Sequence, residues 1–420
     1  MKSELRHLPR ASSLFLPTSR KDIESELKRS YLFRSIWERK DLNGSNDTLN
    51  APETLAAEVP ARWLVFERVA NEKKQSNVLL LKFSQWFSFG KVIIKFYKHG
   101  GTNIWKNRKH LKHITKEKYK LGGFLNTKGQ DIEVKLPAFN ELTMEMANRL
   151  YLDHIETKAE TDNTTGDVVR KDNYIKTNSS NFFSLSRHDY QLIKRTSRDI
   201  IKLPVFGLIF LVFMECTPLV CYMIPEITPS TCVLPYFLPK VWNSKSSLQL
   251  LEKRADLVDS WEDLALKNAY NLPIDQARLL AKCLRLTSRY IPSFLYPESL
   301  VRKRLQSHYC YLCVDNYYLS GQNSEGNVWN LLPQELISAC LERNLIPDIK
   351  KDLDHISSIK DEAKRNEFLD IYFKTLRVKL MLFIVNFEKF NIGYVGIQNL
   401  LEKSYNLEDV NRTVLASLEN

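Results

Sequence analysis

The chain has 420 residues, of which 44% are hydrophobic and 26% charged, a composition that is ordinary for a folded protein of two or three domains. Its net charge of +12 indicates an anionic partner, such as nucleic acid, an acidic membrane surface or an acidic protein. The seven cysteines are scattered, which excludes a disulfide framework and favours a reducing compartment.

Residues 1–60 are predicted to be a basic targeting or disordered region. The first 20 residues combine serines with a single acid and four basic residues, Lys2, Arg6, Arg10 and Arg20. This composition is typical of a mitochondrial transit peptide, but two prolines interrupt the helical pattern, so a disordered basic tail is equally compatible. Residues 42–60 are rich in Asn, Asp, Ser, Thr and Ala, which indicates a linker.

Residues 61–155 are predicted to form a basic helical region. Within it, Ser76–Lys98 reads SNVLLLKFSQWFSFGKVIIKFYK, with apolar residues at helical spacing and lysines between them. This pattern suits a helix lying in a membrane interface. A core-facing helix of a soluble layer fits the pattern as well.

Basic and aromatic residues crowd the stretch that follows. We select Lys106, Arg108, Lys109 and Lys112 as candidate contacts with an anionic surface. Such a mixture suits RNA phosphates and bases, and equally anionic lipid or a solvated charged face. The polar residues 156–180 are predicted to be a flexible linker.

The predicted membrane anchor is Leu203–Ile224, within a region assigned to residues 181–242. The run is 22 residues long and has one ionisable side chain, Glu215. A spanning helix needs about 20 mainly apolar residues, so we predict one span, kinked at Pro218, with a buried helix of a soluble protein as the alternative. A carboxyl group at mid-bilayer must be protonated, paired or placed in a polar cavity. Glu215 is therefore a candidate proton or cation relay, or else a neutral acid bonded to the backbone or to another subunit.

Residues 243–420 are predicted to be a helical domain, because apolar residues recur there at three- and four-residue spacing. The predicted helices are Ser244–Leu257, Asp259–Tyr270, Pro273–Leu286, Pro297–Tyr311, Gln334–Arg343 and Asp361–Phe390. One Cys-x-x-Cys pair, Cys310 and Cys313, is too little for a structural zinc site. No phosphate loop or catalytic motif occurs, so we predict no metal, no cofactor and no enzyme activity.

Four segments resemble the Letm-type family, the leucine-zipper/EF-hand-containing transmembrane proteins with a ribosome-binding domain. They are LSRHDYQLIKRTSRDIIK at Leu185–Lys202, the Met214–Glu215 pair, ITPSTCVLP at Ile227–Pro235, and LLPQELISACLERNL at Leu331–Leu345. The sequence is similar to a small fungal member associated with a mitochondrial gene-expression assembly. No EF-hand loop occurs, which argues against a calcium role.

The resemblance implies an all-α protein with one helix in the mitochondrial inner membrane and a domain facing the matrix. In that family the domain binds the mitochondrial ribosome and supports translation at the membrane, which makes Arg302, Lys303 and Arg304 candidate ribosome contacts. The implied partners are the ribosome, anionic inner-membrane lipid and further copies of the chain. Cation exchange for protons by an oligomer, with Glu215 as carrier, is the alternative function. Basic residues before the span favour the opposite orientation, with the N-terminal side in the matrix.

Overall fold

The computed structural model describes residues 31–38, 47–60, 62–72, 78–125, 131–162, 183–213, 216–242, 261–288, 290–323, 326–346, 348–359, 361–388 and 390–397. These residues are mainly helical, which confirms the all-α expectation except for one small antiparallel hairpin. They belong to two compact units. Unit 1 takes its residues from 1–50, 118–187 and 242–420, and unit 2 from 51–117 and 188–241. Both units are discontinuous in sequence, whereas the predicted regions are continuous stretches.

The helices and strands follow in chain order, with short 3-10 turns left unlabelled. They are α1 (Tyr31–Glu38), α2 (Arg62–Glu72), α3 (Val78–Ile114), β1 (Lys118–Leu125), β2 (Asp131–Lys135), α4 (Phe139–Asp162), α5 (Arg187–Phe213), α6 (Thr217–Met223), α7 (Leu238–Trp242), α8 (Trp261–Leu266), α9 (Ile274–Cys283), α10 (Glu298–Leu319), α11 (Pro333–Glu342), α12 (Ile349–Ser358) and α13 (Glu362–Phe387).

Helix α3 dominates unit 2. Its 37 residues include no proline, so nothing interrupts the backbone ladder over a length of about 55 Å. The predicted helix therefore continues without a break through the basic stretch, and Lys112 and His113 lie in its last turn, where cations complement the helix dipole. Buried positions from Phe89 to Asn107 recur at helical spacing and form the face that packs inside the unit.

The core of unit 2 joins α3 to α5 and to the segment after α6. Phe96 and Tyr97 of α3 pack in one cluster with Phe206 of α5 and with Cys232 and Phe237. The close approach of α3 to the segment at Thr231 and Cys232 requires a glycine at position 100. A Cβ there would lie 2.6 Å from Cys232 Sγ and 2.8 Å from the Thr231 carbonyl oxygen. Thr231 donates a hydrogen bond to the Gly100 carbonyl oxygen across the same contact.

The predicted membrane span is wrong as a single helix. Helix α5 begins at Arg187 and ends at Phe213, so only about half of the apolar run belongs to it, and Pro204 lies inside this helix. Pro218 stands at the start of a separate helix, α6, where its missing N–H costs nothing. Within the described part of the chain, no helix combines the length and apolar character that crossing a bilayer requires. Met214 and Glu215, between α5 and α6, lie outside the described residues.

Unit 1 is held together by a buried cluster of charged side chains. The Asp315 carboxylate accepts hydrogen bonds from Arg187 Nε at 2.9 Å and from Arg343 Nη2 at 2.7 Å. Glu335 lies 3.4 Å from Arg187, which also donates to the Leu49 carbonyl oxygen at 2.8 Å. All four charged side chains are fully buried. The cluster thus ties together four stretches of unit 1 that are remote in sequence.

Most of the helices predicted after the span are confirmed. Helices α9, α10, α11 and α13 begin and end within a few residues of the predicted bounds, except that α10 extends to Leu319. Buried residues from Leu380 to Val385 show that the apolar run in α13 is core. The predicted helix at Ser244–Leu257 lies outside the described residues.

Two predicted linkers need correction. Residues 47–60 are not a free linker, because Leu49, Ala51 and Thr54 are buried and hydrogen bonds hold the turn at Pro52–Thr54. Residues 156–162 continue helix α4, and the rest of the 156–180 stretch lies outside the described residues, as does the predicted transit peptide in residues 1–20. The hairpin β1–β2 was not predicted, since Lys118 to Lys120 belong to the basic run that indicated a charged surface.

Candidate functional site

Unit 2 exposes large apolar side chains at the start of α3. Leu79 is 78% exposed and Phe83 is 72% exposed, and four neighbours on the same helix are also exposed: Val78, Leu80, Trp86 and Phe87. Single exposed apolar residues are ordinary on a protein surface, whereas a group of this size marks an interaction site.

The end of α5 and helix α6 show the same property. Ile201 and Leu211 are each more than three-quarters exposed. The other exposed apolar residues of these two helices are Val205, Leu208, Val212, Phe213, Leu219, Tyr222 and Met223. All of them except Ile201 belong to the apolar run that suggested a membrane span, so part of that run is exposed and part is buried.

These two groups lie at the same end of unit 2. The His110 ring of α3 lies 6.0 Å from the His188 ring of α5, and the Tyr97 ring lies 6.4 Å from Phe210. Later residues of α3 therefore meet earlier residues of α5, which makes the helices antiparallel. The start of α3 and the end of α5 consequently share one end, which we call the apolar end (residues 78–95, residues 205–213 and α6).

Cations accompany the aromatic rings of the apolar end. Lys82, Lys91 and Lys95 are exposed, and α3 carries no Asp or Glu in its whole length. Lys91 Nζ lies 4.5 Å from the centre of the Phe87 ring, and Lys240 Nζ lies 3.6 Å from that of Tyr222. Apolar and aromatic side chains interleaved with lysines are typical of helices that lie in the interface of an anionic membrane.

The opposite end of α3, which we call the basic end (Trp105–Lys112), carries the basic residues predicted from sequence. Lys106, Lys109 and Lys112 are exposed, and Arg108 lies with its Cζ 5.3 Å from the exposed Trp105 ring. The structure thus brings these four predicted residues together on one helix and separates them from the apolar end.

A charged histidine lies near the basic end. His188 Nε2 is 2.8 Å from Glu53, and its Nδ1 is 3.0 Å from Asp189. Burial by itself lowers the pKa of His188, but the hydrogen bonds and charges of Asp189 and Glu53 outweigh it and raise the pKa from 6.5 to about 10. His188 is therefore an imidazolium at neutral pH, held between two carboxylates.

The sequence motifs that suggested a family resemblance form a buried polar network in unit 2. The Ser230 backbone N–H donates to Asp199 Oδ1 at 2.9 Å, and the Ser230 hydroxyl lies 2.5 Å from Asp199 Oδ2 and 3.0 Å from the Thr54 carbonyl oxygen. Arg195 donates to the Thr54 hydroxyl at 3.0 Å. Burial raises the pKa of Asp199. The network holds the chain around α5.

Two of the three predicted ribosome contacts, Arg302 and Arg304, bind the backbone of unit 1 itself. Arg302 donates to the carbonyl oxygens of Ala269, Tyr270 and Leu272 at 2.7–3.0 Å, and it pairs with Glu298. Arg304 donates to the Leu286 carbonyl oxygen at 2.7 Å. These two arginines hold loops of unit 1, and Lys303 is the one exposed residue of the three.

Two further features of unit 1 bear on function. The segment after Leu286 exposes Tyr290, Ile291, Phe294 and Leu295, which the sequence patterns did not single out. Burial raises the pKa of the Cys310 thiol to about 11 and that of Cys313 higher still, so both are protonated apolar groups. No three His, Cys, Asp or Glu side chains are placed to share a metal ion anywhere in the described ranges, and all seven cysteines are free.

Comparison with known families identifies the chain. The sequence model of the pentamidine resistance factor domain matches residues 49–322, about two thirds of the chain, so the protein belongs to the pentamidine resistance factor family. The predicted Letm-type resemblance is therefore wrong. Short motifs carry a high risk of false family matches. Two residues of these motifs, Asp199 and Ser230, are hydrogen-bonded to each other inside unit 2. No curated protein and no solved structure matches the chain.

Proposed function

We propose that this member of the pentamidine resistance factor family docks onto an anionic membrane surface through the apolar end of unit 2. The observation that carries the proposal is the cluster of exposed apolar side chains on α3, α5 and α6, interleaved with lysines and free of carboxylates along α3. The basic, serine-containing N-terminal sequence supports a mitochondrial location, where the membrane would be the inner one.

The energetics favour this assignment. Moving one exposed Leu or Phe side chain into an apolar environment contributes about 1.5–3 kcal/mol. Each lysine near an anionic surface adds about 1 kcal/mol. Leu79 and Phe83 alone therefore contribute several kcal/mol to the free energy of membrane binding. Since about 1.4 kcal/mol corresponds to a tenfold change in affinity, removing both should weaken binding by more than tenfold.

Vesicle flotation tests the proposal. The full chain should float strongly with vesicles that contain phosphatidylglycerol and more weakly with pure phosphatidylcholine, to which only the apolar side chains contribute binding. The double variant Leu79→Asp, Phe83→Asp should lose about tenfold or more of the bound fraction. Both side chains are exposed, so the fold should survive, and circular dichroism checks it.

Ile371→Asp supplies the matched control, since Ile371 is an exposed apolar residue of α13 in unit 1. This variant should float like the wild type. Equal flotation of the double variant and the wild type, or no flotation of the wild type, would show that the apolar end does not bind lipid.

A second candidate function is docking of the mitochondrial ribosome by the basic end. The favouring observation is that Lys106, Lys109 and Lys112 are exposed beside Trp105 on the part of α3 remote from the apolar end. Phosphate contacts lose affinity steeply with salt, so the protein should sediment with ribosomes at low salt and be released at higher salt. Replacing the three lysines with glutamine should abolish that sedimentation, and its persistence would exclude the basic end. Cation exchange is not proposed further, because Glu215 lies outside the described residues.

A further inference from the structure

A cleft runs between α3 and α5 within unit 2. Its volume is about 390 Å³, inside the range of about 300–1,000 Å³ that is usual for small-molecule sites. The α3 wall includes Lys98, Gly101 and Trp105, and the α5 wall includes Phe206, Gly207 and Phe210. The cleft is thus an apolar trough that lies along two antiparallel helices.

Two glycines keep the trough empty. A Cβ at Gly101 or at Gly207 would meet no atom within 4 Å, so the missing side chains leave open space. Gly100 differs, because a Cβ there would collide with Cys232 and Thr231. The adjacent glycines therefore do two things: one allows close packing inside the unit, and the other leaves room for a ligand.

Lys98 is the only charged residue among those that line the cleft. The Thr102 hydroxyl in the wall donates to the Lys98 carbonyl oxygen at 2.8 Å, so the helix itself occupies it. Lys98 is exposed, and its ammonium group has no hydrogen-bond or ion-pair partner among the residues that the structure describes. No carboxylate lines the cleft. An apolar trough with a single cation at its rim is complementary to an acyl chain that carries an anionic headgroup.

We infer that the cleft holds one acyl chain of an anionic phospholipid, with Lys98 pairing the phosphate. The inference rests on the proposed membrane docking, because Leu208 and Leu211 of the apolar end directly follow the wall residues Gly207 and Phe210. A lipid of the docked membrane therefore needs to move one chain over a short distance to fill the trough. The cleft gives the protein a specific lipid site in addition to a general affinity for the surface.

Calorimetric titration with dihexanoyl-phosphatidylglycerol below its micelle concentration tests the inference on the full chain. We expect saturable binding of this monomeric lipid, and none of glycerophosphoglycerol, which has the headgroup without chains. Gly101→Leu should weaken binding about tenfold, because the new side chain takes the place of the acyl chain. Lys98→Gln should reduce the affinity for the phosphatidylglycerol to that for dihexanoyl-phosphatidylcholine.

Gly90→Leu is the matched control. Gly90 also lies in α3, and its Cβ would also meet nothing within 4 Å, but it does not line the cleft. This variant should bind the lipid like the wild type. Gly207→Leu, which fills the cleft from the other wall, repeats the test if Gly101→Leu fails to fold.

The outcomes separate this inference from the proposed function. If vesicles float the wild type but monomeric lipid does not bind, or if Gly101→Leu and Gly90→Leu bind alike, the cleft is not a lipid site and the docking proposal stands. If monomeric lipid binds through the cleft but Leu79→Asp, Phe83→Asp floats normally, the docking proposal fails instead.

Discussion

At the scale of single residues, His188 offers a measurable consequence of its two carboxylate partners. Its pKa of about 10 lies above the ordinary 6.5, so the folded protein binds the proton of His188 more tightly than the unfolded chain does. The resulting stabilisation is fully present below pH 6.5 and is lost as the pH rises through about 10. Imidazole ¹⁵N shifts should accordingly show His188 doubly protonated at pH 8.

Glu53→Gln tests the cause of this shift. The substitution keeps the shape of the side chain and removes one of the two negative charges near His188. The midpoint of the His188 titration should fall by one pH unit or more, which about 1.4 kcal/mol of lost interaction would produce. An unchanged midpoint would mean that Asp189 alone sets the charge of the histidine.

The adjacent glycines of α3, Gly100 and Gly101, should respond oppositely to substitution by alanine. Gly101→Ala should raise the free energy of unfolding by up to about 1 kcal/mol, because alanine favours the helix and its Cβ meets no atom within 4 Å. Gly100→Ala should lower it by about 1–3 kcal/mol, since its Cβ would overlap Cys232 and Thr231. Urea unfolding of the two variants measures both values. Similar stability changes in the two would contradict the packing described for Gly100.

At the scale of elements, the buried charge cluster of unit 1 joins Arg187 to Asp315 of α10, to Glu335 of α11 and, through Asp315, to Arg343. Asp315→Ala leaves Arg187 and Arg343 buried without their shared carboxylate, which should cost about 3–5 kcal/mol of unfolding free energy. Asp370→Ala in α13 breaks an exposed ion pair with Lys374 and should cost at most about 0.5 kcal/mol. Thermal unfolding of both variants should show a large difference, and its absence would show that the cluster contributes nothing to stability.

Helix periodicity predicted the elements better than hydropathy predicted their environment. The spacing in Ser76–Lys98 identified α3 and its apolar face correctly, because periodicity is a local property of the sequence. Hydropathy misassigned Leu203–Ile224, because a helix that is buried on one face and exposes apolar residues on the other has no polar stripe. Likewise, Arg302 and Arg304 carry the same charge whether they contact a partner or backbone carbonyls of the chain itself, so composition could not assign their roles.

At the scale of the whole molecule, no sequence pattern predicted the two discontinuous units. Each unit needs contacts between stretches more than 100 residues apart, such as Arg187 with Asp315 in unit 1 and Thr54 with Ser230 in unit 2. The candidate surface was foreseen only in part. The lysines and the apolar face of α3 were visible in the sequence, but their meeting with the end of α5 depends on the antiparallel packing of the two helices.

The net charge of +12 attracts any anionic membrane, so the proposed surface must be distinguished from charge alone. Two triple variants remove the same charge from different places. Glutamines at Lys82, Lys91 and Lys95 change the apolar end, and glutamines at Lys106, Lys109 and Lys112 change the basic end. At low salt, the first variant should lose tenfold or more in binding to phosphatidylglycerol vesicles, at about 1 kcal/mol per lysine, while the second binds nearly as well as the wild type.

Salt should then separate the two contributions at the apolar end. At about 1 M salt the screening length is about 3 Å, so the lysines no longer attract the lipid, whereas insertion of Leu79 and Phe83 persists. The wild type and the apolar-end variant should therefore converge on the same residual binding, which Leu79→Asp, Phe83→Asp abolishes. Equal losses in the two triple variants at low salt, together with no residual binding at high salt, would identify attraction of the whole positive chain and not a docking surface.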